Sequence, residues 1–405
     1  MKRLTLITGI LLLFATEILR VYFIMPFPGS QHANTIGLAW FIDRNRIVLR
    51  IIGLLLVLVP LYGYLVRGKT WSRVLLTAVI LFYGVVFYYF NYRFEADKMF
   101  YQPRTVSLTG VANNKVPGER LVIGLVVDGE ARAYPIQLIG YHHQVRDTIG
   151  HTPVMITYCT VCRTGRVYSP LVDGRPETFR LVGMDHFNAM FEDATTGSWW
   201  QQATGVAIAG PLKGSHLTEL PSRQSSLAQW IAEYPDSRIF QADTVFNKRY
   251  DDLAGYDSGT IKGGLERRDS SSWGAKSWVV GVRAGNTTKA YDWNLLVQRQ
   301  VIQDSVSGYP ILLAVSGDSV NFRAWDRRVE GQSLAFIPVK VQAGPLLLKD
   351  VTSGSTWDFT GNCVDGPMKG RRLQPLQAYQ EFWHSWSWFH PGTEKYSYFD
   401  HHENP

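Results

Sequence analysis

Cysteine is scarce in this chain. Its 405 residues hold three, and only Cys159 and Cys162 form a C-x-x-C pair. Without a second such pair a closed four-cysteine zinc site is excluded, and two further ligands would have to come from histidine. Arg163 rather than His follows Cys162, which excludes the c-type haem attachment signature. The chain also lacks a P-loop, a G-x-S-x-G elbow and an H-E-x-x-H pair, so the nucleotide, esterase and metalloprotease signatures built on them are missing. Net charge is absent where a nucleic-acid binder needs it. Residues 1–100 hold eleven Lys and Arg against four acidic residues, and the remainder carries 30 of each. The formal +7 therefore belongs to the segments around the apolar runs, and no basic stripe is left to neutralise phosphates. The carboxylates are scattered, and no acid–base pair stands out.

What the chain does have is three long apolar runs at its start, at about 4–25, 47–66 and 74–91, which define a transmembrane region over residues 1–92. Only Arg50 interrupts the second, and the third carries no charge. The first holds Glu17 and Arg20, costly in lipid and spaced to pair with each other on a helix. Residues 4–16 alone would also fit a signal-peptide core, but no small-residue cleavage site follows, so a retained helix is expected. Lys2 and Arg3, with Arg67, Lys69 and Arg73 between the second and third runs, fit the cytoplasmic side; Arg44 and Arg46 pull the other way. The expected protein is integral to the cytoplasmic membrane with its C-terminal part on the extracytoplasmic side, where disulfides can persist.

Beyond residue 100 the sequence matches itself. Moved forward by 157 positions, Val122, Gly124, Ala133, Tyr134, Asp147 and Pro153 fall on Val279, Gly281, Ala290, Tyr291, Asp304 and Pro310. Thr196-Gly197-Ser198-Trp199-Trp200 meets Ser353-Gly354-Ser355-Thr356-Trp357. These shared positions are turn glycines, prolines and core aromatics, the marks of a scaffold. Cys159 and Cys162 instead fall opposite Ser316 and Ser319, and His142 and His143 opposite Arg299 and Gln300, so any chemistry belongs to the first copy. Each copy reads as β-rich. Asp128-Gly129 and Asp173-Gly174 signal hairpins, residues 153–158 a buried strand, and 135–143 and 227–234 short helices. The expected fold is α+β and β-rich. Three transmembrane helices precede two homologous repeats, 100–241 and 278–400, joined by an irregular linker over 242–277 and packed with pseudo-twofold symmetry.

A C-x-x-C turn at a strand end brings two sulfurs close enough to share a metal ion or to form a disulfide. His142 and His143 lie upstream on the expected short helix, with His151 and His186 as further imidazoles. Two thiolates with one or two imidazoles suit copper or zinc. His384 and His390 sit among aromatics and read as packing residues; His401 and His402 lie in a tail able to bind metal adventitiously. Cys363 reads as a buried apolar residue. Three functions follow from these residues. The first is a metal-binding protein using Cys159, Cys162 and His142, with His143 as a fourth ligand. The second is a thiol–disulfide oxidoreductase in which Cys159 attacks, Cys162 resolves and His142 lowers the thiol pKa. The third is a ligand-binding module whose cysteines staple a loop.

The ordered set Gly129-Glu130-Ala131-Arg132-Ala133-Tyr134-Pro135, a His-containing segment ending in Asp147, Thr157-Tyr158-Cys159-Thr160-Val161-Cys162, and Gly197-Ser198-Trp199-Trp200-Gln201 resembles a bacterial and archaeal family catalogued as domain of unknown function 3179. The resemblance spans roughly residues 100–400. It implies no activity, substrate or cofactor, but it singles out His142 among the histidines. The family pattern has an aromatic-His-Glu step and a Tyr-Cys-Pro-Leu-Cys step. Here Tyr141-His142-His143 puts a second imidazole in place of the acid, and Thr160-Val161 replaces Pro-Leu.

Overall fold

The computed structural model describes residues 2–339 and 346–397. The chain forms two compact units, one of Met1–Tyr101 with Pro170–Leu217 and the other of Gln102–Ser169 with Thr218–Pro405. The stretch expected as the first repeat is thus shared between them. The protein is α+β: three long apolar helices lead, and the rest is rich in strands.

In the first unit, helices α1 (Lys2–Tyr22), α2 (Ile36–Arg67) and α3 (Thr70–Tyr92) are long and apolar enough to cross a membrane. Helix α2 begins well before residue 47, because Asp43, Arg44 and Arg46 interrupt hydropathy without interrupting helical hydrogen bonding. Helices α1 and α2 cross closely at two glycines. A methyl on Gly9 would lie 2.8 Å from Val57, and one on Gly53 would lie 2.8 Å from Leu13. Glu17 and Arg20 do not pair with each other. Glu17 takes both oxygens to Arg50 at 2.7 Å and accepts from Asn91 and Tyr83. Arg20 instead reaches Asp43 at 3.2 Å and Glu95 at 2.8 Å, and donates to the carbonyl of Phe90. Pairing between helices satisfies more buried donors and acceptors than a pair along one helix could. The unit's four-stranded antiparallel sheet runs in the order Ala207–Ala209, Trp199–Gln201, Asn188–Asp193, Phe179–Asp185. Its Asp193 carboxylate accepts from the Trp200 indole and from the backbone N–H groups of Thr196 and Ser198, which fixes the turn at Gly197.

The second unit opens on a five-stranded sheet. Leu121–Val127 and Glu130–Pro135 pair across Asp128-Gly129, whose φ values of 51° and 80° make the left-handed two-residue turn that the dipeptide signals. Arg223–Ser226 pairs on one side, and Arg238–Phe240 runs parallel on the other. A four-stranded sheet later in the chain repeats this pattern. Val122 faces Pro135 and Val279 faces Asp292; Arg132 faces Arg238 and Lys289 faces Glu394. Two further sheets follow: the three-stranded Gln144–Ile149, Thr152–Cys159, Thr164–Tyr168, and a four-stranded one in the order Val301–Val306, Tyr309–Val315, Phe322–Asp326, Gln374–Pro375. Short helices at Ile136–His142 and Leu227–Glu233 match expectation, the latter capped by the Ser226 hydroxyl. The strand Gln144–Ile149 was not foreseen. Its polar residues at 144, 146, 147 and 148 hide its apolar alternation.

The five-stranded sheet and the four-stranded sheet that holds Trp278–Ala284 each lean on one tryptophan through a glycine. A methyl on Gly124 would overlap the Trp230 ring, and one on Gly281 the Trp386 ring, whereas Gly317 has open space around it. Both indoles are fully buried. Alanine at 124 or 281 should therefore lower the stability of the full-length protein by ~1–3 kcal/mol through overpacking. Alanine at 317 should stay within ~0.5 kcal/mol of the wild type. Urea unfolding measures all three, and equal losses would contradict this packing account.

Candidate functional site

The strand Thr152–Cys159 ends at its cysteine, and the chain turns through Thr160, Val161, Cys162 and Arg163 into Thr164–Tyr168. Cys159 and Thr164 are register partners, and Arg163 closes the turn at a φ of 56°. Both cysteines are reduced thiols, within hydrogen-bonding reach of each other, and only 1% and 0% exposed. Burial, then the neighbouring Cys159, pushes the Cys162 thiol well above its usual value, so it is protonated at neutral pH; the Ser385 hydroxyl and Lys276 pull more weakly the other way.

All three inner carbonyls of the turn are tied by residues far away in sequence. The Tyr256 hydroxyl donates to Thr160 at 2.8 Å. The Lys276 ammonium donates to Val161 at 2.6 Å and lies 3.1 Å from His384 Nε2. The Phe382 N–H donates to Cys162 at 3.0 Å. The Thr164 hydroxyl and Ser385 both reach Glu381 Oε2 at 3.1 Å, and Glu381 Oε1 accepts from Arg166 at 2.5 Å. Burial draws Lys276 below the ordinary lysine range, an effect opposed by the two cysteines beside it. Sequence reasoning missed Tyr256, Lys276, Glu381 and Ser385. The first two lie in the stretch read as a linker, and the signal was there in its tyrosines, which a solvent-exposed linker does not need.

His142 ends the helix Ile136–His142, and its Nε2 meets the Tyr250 hydroxyl at 2.7 Å. His143 follows at a φ of 60°, its Nδ1 2.9 Å from the Tyr158 carbonyl, while its own carbonyl accepts from Tyr158 N–H at 3.0 Å. Burial lowers its pKa to about 4, so the ring is neutral and Nδ1 carries the proton it donates. The two histidines thus flank the strand that carries Cys159. Among the described residues, no group of three or more His, Cys, Asp or Glu is arranged to hold a metal ion. His151 is exposed, and His186 belongs to the first unit, where its Nδ1 meets Asp185 at 2.6 Å. Cys363 is buried in the core around Trp357, and His401 and His402 lie outside the described residues. In the later hairpin Ser316 and Ser319 occupy the matching turn, and the Ser316 hydroxyl accepts from Asn321 N–H at 3.0 Å.

Fold and site together define an α+β protein with candidate membrane-spanning helices and a buried dithiol turn. The chain belongs to the family described as protein of unknown function (DUF3179), whose family model matches residues 100–393. No curated protein and no solved structure matches it.

Two imidazoles near the turn make stability depend on pH. Burial lowers His384 to about 4, with Lys276 adding to the effect, and lowers His390 to about 3, so both stay neutral in the folded protein. Unfolded, each would take up a proton near 6.5. Their contribution is therefore present above that pH and is lost as pH falls towards about 4. The urea midpoint should hold near neutrality and decline from about pH 6.5 downward. His390→Phe, which keeps a ring against Trp386, should reduce the slope; an unchanged slope would refute the assignment.

Proposed function

We propose that the protein is a membrane-anchored thiol protein that takes up one thiophilic metal ion through Cys159 and Cys162, with Cu(I) the best match. The observation that carries this is the pair of reduced thiols in mutual contact within a turn whose inner carbonyls are all tied. Soft thiolates favour Cu(I), which accepts two sulfurs alone, whereas zinc needs four ligands. Binding displaces the thiol protons and leaves a complex of net charge −1, which the Lys276 ammonium is placed to balance. Near-complete burial admits a bare ion more readily than a bulky thiol partner. On this reading His142, held by Tyr250, and His143, held by the Tyr158 carbonyl, brace the strand and helix that present Cys159.

The three apolar helices supply the anchor. Lys2, Arg3, Arg67, Lys69 and Arg73 support a cytoplasmic N-terminus, with the dithiol turn on the extracytoplasmic side. Duplication supports the view that the later hairpin is a scaffold copy. Tyr134 donates to Asp147 as Tyr291 does to Asp304, and the His143 and Gln300 N–H groups close matching helices at 2.8 Å. Reciprocal contacts support a pseudo-twofold. Phe382 N–H donates to the Cys162 turn, and Ser226 N–H donates to Asn321 in the later one.

The test is competition for Cu(I) between the reduced full-length protein and bathocuproine disulfonate. One ion per chain should bind, and Cys159→Ser or Cys162→Ser should each weaken binding by ~100-fold or more. Unchanged uptake in both variants would sink the proposal. A second reading, a dithiol–disulfide couple that gives up two electrons and two protons, is favoured by the same sulfur contact. It would replace the first if the wild type bound no Cu(I) yet showed a reversible two-electron potential in the range of known exchange proteins.

A further inference from the structure

A pocket of about 370 Å³ opens in the second unit beside the dithiol turn, with the exposed Ser258 and Ser319 at its mouth. Its volume falls within the range of small-molecule sites. Arg163, the residue after Cys162, lines it and is 1% exposed. Its Nε donates to Gln380 at 3.0 Å, while its two terminal nitrogens lie 3.4 Å from the carbonyls of Tyr256 and Asp257. Among the described residues it makes no ion pair, and neither does Arg268, which lines the same pocket and donates to Asn294 at 2.6 Å. Both guanidinium groups approach the Trp278 ring, at 3.8 and 4.2 Å from its centroid. The Trp278 indole N–H and Arg268 Nε are buried without a hydrogen-bond partner, although Trp278 is only 7% exposed.

Two arginines held this close repel each other; burial and Arg163 both lower the pKa of Arg268, against a weaker upward pull from Asp292. The pocket's one carboxylate, Asp257, acts electrostatically on Arg163 and Arg120 but forms no ion pair with Arg163 or Arg268 among the described residues. Its Oδ2 accepts from Leu121 N–H at 3.2 Å and lies 3.7 Å from Arg120, outside the pocket lining. Arg163 spends its donors on Gln380 and two carbonyls, whereas the Arg268 Nε and the Trp278 N–H find no partner among the described residues, which is costly in a buried site. The missing partner is an anion.

We infer that this pocket binds a small organic anion, its oxyanion head between Arg163, Arg268 and the Trp278 N–H, its apolar body against Trp293, Val297 and Leu121. Planar guanidinium groups suit carboxylate and phosphate heads alike. The site stands apart from the metal reading, since it needs no ion at the thiols. Because Arg163 is covalently next to Cys162, an anion held there would sit against the dithiol turn.

Calorimetric titration of metal-free, full-length protein in detergent tests it, with phenyl phosphate, benzoate and neutral benzyl alcohol as probes. At least one of the two anions should bind saturably and benzyl alcohol should not; which anion binds tighter identifies the head group. Arg268→Gln should weaken binding about tenfold or more. Trp278→Phe, which keeps the ring and loses the N–H, should weaken it less. Should Arg163→Gln fail to fold, Arg268→Gln decides. No saturable binding of either anion, equal binding of benzyl alcohol, or unchanged affinity in Arg268→Gln would each overturn the assignment.

Discussion

The turn at Cys159–Cys162 has almost no freedom of its own, because its carbonyls are fastened from outside. Tyr256, Lys276 and Phe382 come from two distant parts of the chain and take one carbonyl each. A four-residue hairpin loop in water would sample many arrangements of its two thiols. Here folding itself sets the sulfurs, and the ordering cost of the turn is met there. The same ties deny the turn to solvent, which keeps the Cys162 thiol protonated.

Beneath the turn lies a buried ion pair. Arg166 and Glu381 meet at 2.5 Å with their side chains 2% and 1% exposed. The Arg166 guanidinium also stacks 3.5 Å from the centre of the Tyr379 ring. Removing Arg166 would strand Glu381, at a cost on the order of 3–5 kcal/mol, whereas Arg166 without Glu381 would keep Glu219 at 3.6 Å. Such a pair adds little net stability over an apolar one, but it joins the strand leaving the turn to the segment preceding Trp383–Phe389 in one register only. Glu381 also accepts from Thr164 and Ser385, so the pair and the thiols share a single polar network.

Much of this fold was legible. Asp128-Gly129 specified its hairpin because only left-handed backbone closes a two-residue turn with the right twist, and the three apolar runs gave the helices. The strand Gln144–Ile149 was hidden because its polar residues outnumber its apolar ones: Arg146 and Thr148 are exposed, while Gln144 is buried and Asp147 accepts from Arg132 and Tyr134. At the site, the cysteine spacing announced the pair, and the upstream position of His142 and His143 announced their proximity to its strand. What those rings touch was not legible. Tyr250 lies 108 positions from His142, and local spacing carries no information about such a partner. Lys276 was equally invisible, since a lone lysine in a Gly- and Ser-rich stretch reads as solvated until the chain folds back.

The polar network among the three apolar helices bears on how the protein is made. Glu17 and Arg20 leave the ribosome long before Asp43, Arg50, Asn91 and Glu95, which satisfy them. Alone, the first helix could pair Glu17 and Arg20 only with each other, without the several partners that the completed helices supply. Its settled position is therefore decided in retrospect, once the chain has been synthesised through Glu95. The three helices mature as one object, and a fragment ending after the first would lack the partners that Glu17 and Arg20 find in the others.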